Sequence, residues 1–163
     1  MHLAMILRQI LMLVVFLAAT YLAAALGALG SINAPGFYQQ LQLPTLAPPA
    51  WLFGPVWTLL YTLMAVASWL VWRSAGAKAR PLLVLYVLHL IVNASWSWCF
   101  FALQQGALAL VNIVVLWLMI AALLFGYWRL QRLAALLLVP YLLWVSFALW
   151  LNLQLWQLNP SLL

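Results

Sequence analysis

Apolar runs long enough to cross a lipid bilayer occupy most of this sequence. A membrane-spanning helix needs about 20 apolar residues. Five segments reach this length, at about 6–29, 50–72, 81–103, 106–128 and 133–156. The third and fourth are separated only by a QQG turn at 104–106. The pattern predicts an all-α membrane protein, a bundle of five transmembrane helices forming one domain over residues 1–163.

Composition agrees with a lipid environment and excludes several kinds of chemistry. Of the 163 residues, 71% are hydrophobic and 4% are charged, whereas a soluble domain carries about 25% charged residues. The chain has no Asp or Glu, which excludes paired catalytic carboxylates, carboxylate metal sites and carboxylate proton relays. We therefore predict no metal site and no required cofactor. The single cysteine, Cys99, is interpreted as a small core residue.

The basic residues predict the orientation of the chain. A five-span topology places all six on one side of the membrane: Arg8, Arg73, Lys78, Arg80, Arg129 and Arg132. By the positive-inside rule the N-terminus is then cytoplasmic and the C-terminus is outside. The same distribution favours an orientation signal over nucleic-acid binding. Because no long targeting segment precedes the first apolar run, we expect a bacterial cytoplasmic membrane.

The first segment has a second interpretation, a secretory signal peptide. Arg8 lies near its start, and Ala23-Ala24-Ala25 imitates a cleavage site. The apolar core of a signal peptide spans about 7–15 residues, and this run is longer. A membrane helix is therefore the favoured interpretation.

The longest connection, about residues 30–49, lies on the predicted outer side. It is uncharged and contains four prolines, so it is too rich in proline to be helical throughout. One interpretation is a lid folded over the bundle. The other is a passive loop at the lipid interface, with Phe37 and Tyr38 as interfacial aromatics.

The stretch PPAWLFGPVWTLLY at 48–61 begins the second segment with helix breakers. Pro48 and Pro49 suit a first helical turn, where the missing N–H is harmless. Pro55 is expected inside the helix, where it would remove a backbone bond and kink the helix near Trp51. Gly54 leaves a gap in the helix surface there.

Aromatic and polar side chains recur on single faces of three segments. They are Phe53, Trp57 and Tyr61 in the second; His89, Asn93, Trp96 and Phe100 in the third; and Pro140, Trp144, Ala148 and Asn152 in the fifth. Each asparagine, Asn112 included, has a simple interpretation as an interhelical hydrogen-bonding group, and the aromatics have one as an interfacial belt. Together, the three faces predict a ligand cavity with a few orienting polar groups.

Two other features also have structural interpretations. His89 is interpreted as a hydrogen-bonded core residue rather than a haem ligand or pH sensor. Small residues in the first segment, Ala23 with Gly27 and Ala24 with Ala28, suit either internal packing or a homodimer.

These motifs resemble the translocator protein/tryptophan-rich sensory protein family, once called peripheral benzodiazepine receptors. The similar stretches are Tyr38 with the loop ending PPAWLFGPVWTLLY, VNASWSWCFF at 92–101, ALVN at 109–112 and VPYLLWVSFALWLN at 139–152. The resemblance covers about residues 20–156.

The resemblance implies a five-helix bundle, often dimeric, that binds porphyrin or haem and, in animals, cholesterol and synthetic drugs. It implies a pocket near the outer helix ends, closed by the first loop. By position, Trp51 and Trp144 match tryptophans associated with porphyrin binding and with light-dependent porphyrin breakdown. The other matching pocket positions are Tyr38, Trp57, Tyr61, Asn93, Trp96, Phe100, Ala148 and Asn152.

Several positions depart from the family pattern. Asn112 replaces a usual acidic residue, Leu46 a common loop tryptophan and Leu43 a common lysine. No Lys or Arg follows Tyr141 in the fifth segment, so the proposed cholesterol motif is incomplete. Cholesterol is not the predicted ligand.

The predicted function is that of a tetrapyrrole-binding sensory or regulatory receptor. One alternative is light- and oxygen-dependent porphyrin degradation using Trp51 or Trp144. Another is transport of porphyrin or another small molecule, which an odd helix count and the lack of carboxylates disfavour. The expected partners are the lipid bilayer, a porphyrin-type or other flat apolar molecule, and a second copy in a homodimer.

Overall fold

The computed structural model describes residues 2–163 as a helical bundle. The five long helices are α1 (His2–Gly30), α3 (Phe53–Ala75), α4 (Arg80–Ser97), α5 (Gly106–Leu130) and α6 (Arg132–Leu158). A short helix, α2 (Ala34–Tyr38), lies in the first loop. The 3-10 turns Ala50–Leu52 and Gly76–Ala79 lead into α3 and α4, and a π-helical turn, Trp98–Ala102, extends α4. No strand occurs within residues 2–163, and the predicted all-α bundle of five long helices is confirmed.

The helices have the length and apolarity needed to cross a bilayer. Within residues 2–163, four continuous stretches meet that requirement: Leu3–Gly30, Ala50–Ala102, Gly106–Leu130 and Arg132–Leu158. The second, 53 residues long, contains both α3 and α4. Large apolar side chains such as Leu22, Leu59, Val111 and Leu143 are exposed around the bundle. They suit contact with lipid chains, as expected of an integral membrane protein.

The five long helices close into a ring whose order differs from the order in the sequence. α1 packs against α3 and α4, α5 against α4 and α6, and α6 against α3. The ring order is therefore α1, α3, α6, α5, α4. The consecutive helices α3 and α4 make few contacts with each other, because α1 and α6 occupy the neighbouring positions beside α3.

One end of the ring is filled by side chains. This end carries the six basic residues and is called the basic end; the opposite end, with α2 and the 104–106 turn, is called the loop end. Near the basic end Val71, Tyr127 and Ala134 are fully buried. A Cβ added at Gly126 would clash with the Leu82 side chain, so this glycine allows α4 and α5 to approach closely.

The prolines of residues 48–61 occupy helix positions other than those predicted. Pro49 is extended, with φ −63° and ψ 143°, and precedes the 3-10 turn. α3 begins only at Phe53, which puts Pro55 in its first turn, where backbone N–H groups need no helical partner. The expected loosening inside this helix is therefore wrong. The proline that does lie inside a helix is Pro140, in α6.

The predicted turn at 104–106 is sharp. Gln104 has a positive φ of 54°, a conformation that costs energy for a residue other than glycine. The π-helical turn before it gives the main-chain bonds Leu103 N–H to Trp98 O at 2.8 Å and Gln105 N–H to Cys99 O at 3.0 Å. These bonds satisfy the carbonyls at the end of α4 and reverse the chain into α5.

Candidate functional site

A cavity lies inside the ring at the loop end. Its volume is ≈ 400 Å³, within the range of about 300–1,000 Å³ that is usual for ligand pockets. All five long helices and the first loop contribute to its wall. The lining side chains that carry the following arguments are Ala24, Gly27, Ala28, Ser31, Pro35, Tyr38, Phe53, Trp57, Tyr61, Asn93, Trp96, Phe100, Trp144, Ala148 and Asn152.

The structure brings together nine of the ten predicted ligand-binding residues. These are Tyr38, Trp57, Tyr61, Asn93, Trp96, Phe100, Trp144, Ala148 and Asn152. The tenth, Trp51, is 72% exposed and lies outside the lining. Its position follows from the 3-10 turn, in which side chains three residues apart are eclipsed. Ala50 and Phe53 both line the cavity, so Trp51 between them points elsewhere.

The aromatic face of α3 forms one wall. Phe53 packs edge-on against Trp144 of α6, with ring centroids 6.0 Å apart, and against Tyr38 of the loop at 6.1 Å. One turn on, Trp57 and Tyr61 are in contact at 5.5 Å. The predicted i, i+4, i+8 face therefore points into the ring, and edge-to-face contacts hold its rings in place.

The opposite wall belongs to α4 and is fixed by a side-chain amide. Trp96 stacks on Phe100 at 5.2 Å with an interplanar angle of 18°. The Trp96 indole N–H donates to Asn152 Oδ1 at 3.1 Å, and Asn152 Nδ2 donates to the Gly106 carbonyl at 3.2 Å. Asn152 therefore joins α4, α5 and α6 and fixes the plane of the Trp96 ring.

A chain of hydrogen bonds leaves the cavity toward the core. The Tyr61 hydroxyl donates to Asn93 Oδ1 at 2.6 Å, and Asn93 Nδ2 donates to the Tyr141 hydroxyl at 2.8 Å. That hydroxyl lies 2.7 Å from His89 Nε2, and His89 Nδ1 lies 3.2 Å from the Tyr86 carbonyl. His89 is fully buried, outside the cavity lining, in the hydrogen-bonded core position that the sequence favoured.

One polar atom of the lining has no partner. Within residues 2–163, the buried indole Nε1 of Trp144 makes no hydrogen bond. A buried unpaired N–H costs about 1–3 kcal/mol. Ala148, one turn away on α6, also lines the cavity. The Trp144 ring thus lines the cavity, while its N–H is covered by neighbouring atoms.

The loop end of the cavity is covered by residues 30–49. Phe37 and Leu41 are buried there, and Phe37 packs edge-on against Phe100. The Gln42 N–H donates to Asn159 Oδ1 at 2.7 Å, and Asn159 Nδ2 donates to the Gln42 carbonyl at 3.1 Å. The loop is thus tied to the end of α6, and opening of the loop as a lid remains a prediction.

Tyr38 is the loop residue that reaches the ring of aromatics. Its hydroxyl donates to the Pro48 carbonyl at a long distance of 3.5 Å. Partial burial raises the pKa of the Tyr38 hydroxyl above its usual value. The group therefore remains a neutral donor and acceptor over the ordinary pH range.

The α1 wall was not assigned to the site from the sequence. Ala24, Gly27 and Ala28 line the cavity, and a Cβ on Gly27 would lie 3.5 Å from the Ala94 backbone. Their small size was the available signal, but it suits packing or dimerisation equally well. Asn112, in contrast, lies outside the lining and donates to Ser95 Oγ at 2.8 Å.

Comparison with known proteins identifies the family. Residues 10–157 match the model of the TspO/MBR family. Over 146 residues the chain is 40% identical to the tryptophan-rich protein TspO of Chlorobaculum tepidum, covering 85% of this chain and 92% of that protein. It is 36% identical over 129 residues to the tryptophan-rich sensory protein of Cereibacter sphaeroides, covering 79% of each, and 40% identical over 111 residues to the human translocator protein, covering 66% of each. The match includes the described cavity from α1 to α6, and the chain belongs to the TspO/MBR family.

Proposed function

We propose that this protein binds a tetrapyrrole, either a porphyrin or haem, in the cavity and acts as a sensory or regulatory receptor. The observation that carries the proposal is the convergence of nine predicted residues on one aromatic cavity of ≈ 400 Å³. A relative bears the name tryptophan-rich sensory protein. The receptor role is taken from that likeness, and the ligand class from the chemistry of the wall.

The wall suits a flat and mostly apolar ligand. Trp57 and Tyr61 on one side and the stacked pair Trp96 and Phe100 on the other present fixed aromatic rings. A macrocycle can gain area and ring contacts from both sides. The small residues of α1 in the lining, Ala24, Gly27 and Ala28, take up little of the cavity.

Neutral donors would orient the polar edge of the ligand. None of the lining side chains is charged, and the Trp144 Nε1–H has no protein partner within residues 2–163. Because this atom is buried, a carboxylate or carbonyl of the ligand would satisfy it only after the Trp144 indole turns toward the cavity. The Ser31 hydroxyl, bonded to the Gly27 carbonyl at a long 3.4 Å, is a second donor at the loop end.

Iron is not needed for this mode of binding. Both ring nitrogens of His89 have protein partners, and the ring lies outside the cavity lining. We therefore expect metal-free protoporphyrin IX and haem to bind with affinities within about threefold. Parallel titrations followed by tryptophan quenching measure both, and haem binding stronger by 100-fold or more would require an iron ligand and contradict the expectation.

The test of the proposal is a titration of protoporphyrin IX into the protein in nanodiscs, beside an Ala148→Leu variant. The added side chain fills the gap on α6, so we expect affinity to fall about tenfold or more. Ala122→Leu, which adds the same volume on the exposed face of α5, is the matched control and should bind normally. Linear quenching that is alike in all three proteins means partition of porphyrin into lipid and would reject the site.

Porphyrin degradation under light and oxygen is the second candidate. It is favoured by the indoles of Trp57, Trp96 and Trp144 around one cavity, since indoles can donate electrons to an excited ligand. Loss of product in Trp144→Phe at saturating porphyrin supports this activity. Equal loss of porphyrin in protein-free detergent rules it out.

The orientation follows from the basic end. We propose that this end faces the cytoplasm of a bacterial cell, with the C-terminus outside. Labelling of Ser161→Cys from outside intact cells, in a Cys99→Ala background, should succeed. A homodimer, implied by the family resemblance, is tested by crosslinking in native membranes.

A further inference from the structure

The basic end carries positive charge without any internal partner. All six Lys and Arg side chains are exposed, and the chain has no Asp or Glu. No side-chain carboxylate of this protein can therefore neutralise them. An exposed cationic surface of this kind attracts an external anion.

Arginines at this end rest on aromatic rings. In four cases the guanidinium carbon lies 4.3–5.8 Å from a ring centroid: Arg8 with Trp72, Arg73 with Trp69, Arg129 with Phe125 and Arg132 with Trp128. The cation–π contact favours this position of the guanidinium, and an exposed guanidinium can still donate to an acceptor. The arginines are thus ordered in advance for a bidentate oxyanion such as phosphate.

Two of these pairs meet where α1 packs on α3. Trp72 and Arg73 follow Trp69 by three and four residues and so neighbour it on α3, and Arg8 of α1 lies over Trp72. The Trp69 indole N–H donates to the Gln9 carbonyl at 3.0 Å, which fixes α1 beside this face. Two guanidiniums from different helices are thereby held at one edge of the bundle.

We propose that Arg8, Trp69, Trp72 and Arg73, the α1–α3 site, bind the phosphate of an anionic phospholipid. Exposed apolar residues of α1, including Leu7 and Leu11, continue from the site along the helix and suit the acyl chains of that lipid. Indole rings are favoured at the level of lipid headgroups. The occupant is therefore a lipid held at the bilayer edge, rather than a soluble anion.

The absence of acidic residues predicts selectivity among lipids. A zwitterionic headgroup brings an ammonium that no side-chain carboxylate of this chain can neutralise. An anionic headgroup such as phosphatidylglycerol lacks that ammonium and gains from both arginines. The α1–α3 site should consequently prefer phosphatidylglycerol over phosphatidylcholine.

The chain provides a matched control for charge. Lys78 and Arg80 are exposed at the same end, but neither stacks on an aromatic ring in the described structure. The double variant Lys78→Gln/Arg80→Gln removes the same charge as Arg8→Gln/Arg73→Gln. All four positions are outside the cavity lining, so protoporphyrin quenching and helical circular dichroism serve as folding checks.

The experiment is native mass spectrometry of protein released from nanodiscs of equal phosphatidylglycerol and phosphatidylcholine. We expect the ratio of the two bound lipids to fall about tenfold in Arg8→Gln/Arg73→Gln, given the attraction of two cations near a lipid surface. In the control it should change less than twofold. Arg8→Lys/Arg73→Lys keeps the charge but loses the planar guanidinium. Its lipid ratio should lie between the ratios of the two glutamine variants.

Four results would overturn the proposal. If the preference for phosphatidylglycerol falls equally in both glutamine variants, the whole basic end attracts the lipid diffusely. If it falls in neither variant, the lipid is held elsewhere. A full lipid preference in the lysine variant means that the stacked geometry has no role. Displacement of the lipid by inorganic phosphate, but not by chloride of equal ionic strength, would assign the site to a soluble anion.

Discussion

The Trp144 indole combines an aromatic ring in the cavity wall with a donor that has no partner among residues 2–163. Buried N–H groups in folded proteins are nearly always hydrogen-bonded. The Trp144 N–H is such an exception, and under the proposed function a ligand oxygen would be its partner once the indole turns toward the cavity. A substitution at Trp144 should therefore change protoporphyrin affinity more than it changes thermal stability.

Trp144→Phe removes the N–H and retains an aromatic ring. Since no protein hydrogen bond is lost, thermal stability in detergent should change by less than about 1 kcal/mol. Protoporphyrin affinity should fall about five- to tenfold, because a neutral hydrogen bond contributes about 1 kcal/mol. Trp150→Phe, outside the lining on the same helix, is the control; unchanged affinity in Trp144→Phe would show that the indole N–H does not meet the ligand.

At the scale of elements, the first loop covers the cavity and is hydrogen-bonded to the end of α6. Asn159 is 4% exposed and bonds both main-chain groups of Gln42. Few other hydrogen bonds join residues 39–49 to the helices. The cover of the cavity therefore depends strongly on one amide.

Asn159→Ala should loosen the loop without disturbing the ring. We expect faster hydrogen exchange at residues 40–47 and a several-fold faster release of protoporphyrin, with a cost of about 1–2 kcal/mol from the unpaired Gln42 groups. Asn33→Ala is a suitable control, because Asn33 is exposed and its side chain does not cap α2. Equal exchange in wild type and Asn159→Ala would argue against a loop held by this amide.

The residues of the site that lie on one helix could be predicted from their spacing in the sequence. Residues four apart on α3 and α6 point together, so Trp57 with Tyr61 and Trp144 with Ala148 were found. Trp51, assigned from the family resemblance, lies outside the cavity lining, because a 3-10 turn that the sequence does not reveal precedes α3. The short helix α2 was missed, since a five-residue helix within a proline-rich loop has no clear periodicity.

Across the whole molecule, the Tyr141 hydroxyl joins three helices of the ring. It accepts from Asn93 of α4, bonds His89, and connects through Asn93 to Tyr61 of α3. The helix faces identified from the sequence included Asn93 and His89 but not Tyr141. The hydrogen-bond partners of Tyr141 are 48 and 52 residues away in the chain. Neither the order of the helices in the ring nor hydrogen bonds between residues so far apart produce a pattern in the local sequence.

Tyr141→Phe leaves both partners short of a hydrogen bond. We expect a loss of about 1–2 kcal/mol in unfolding free energy, measured by titration with a denaturing detergent, because hydrogen bonds between membrane helices contribute modestly. Tyr21→Phe, which removes an exposed hydroxyl bonded to Thr62 at 2.8 Å, should cost less than about 0.5 kcal/mol. Equal losses in the two variants would mean that the buried chain adds no special stability.

The ring order also has a consequence for biosynthesis. α6 lies between α3 and α5 and is the last of the five ring helices to leave the ribosome. A nascent chain that ends before Arg132 has four helices, an open side and no aromatic wall from Trp144. The cavity is therefore completed late, and a chain without α6 lacks the full aromatic wall. If the proposed porphyrin binds there, bound porphyrin would report only chains in which α6 has joined the ring.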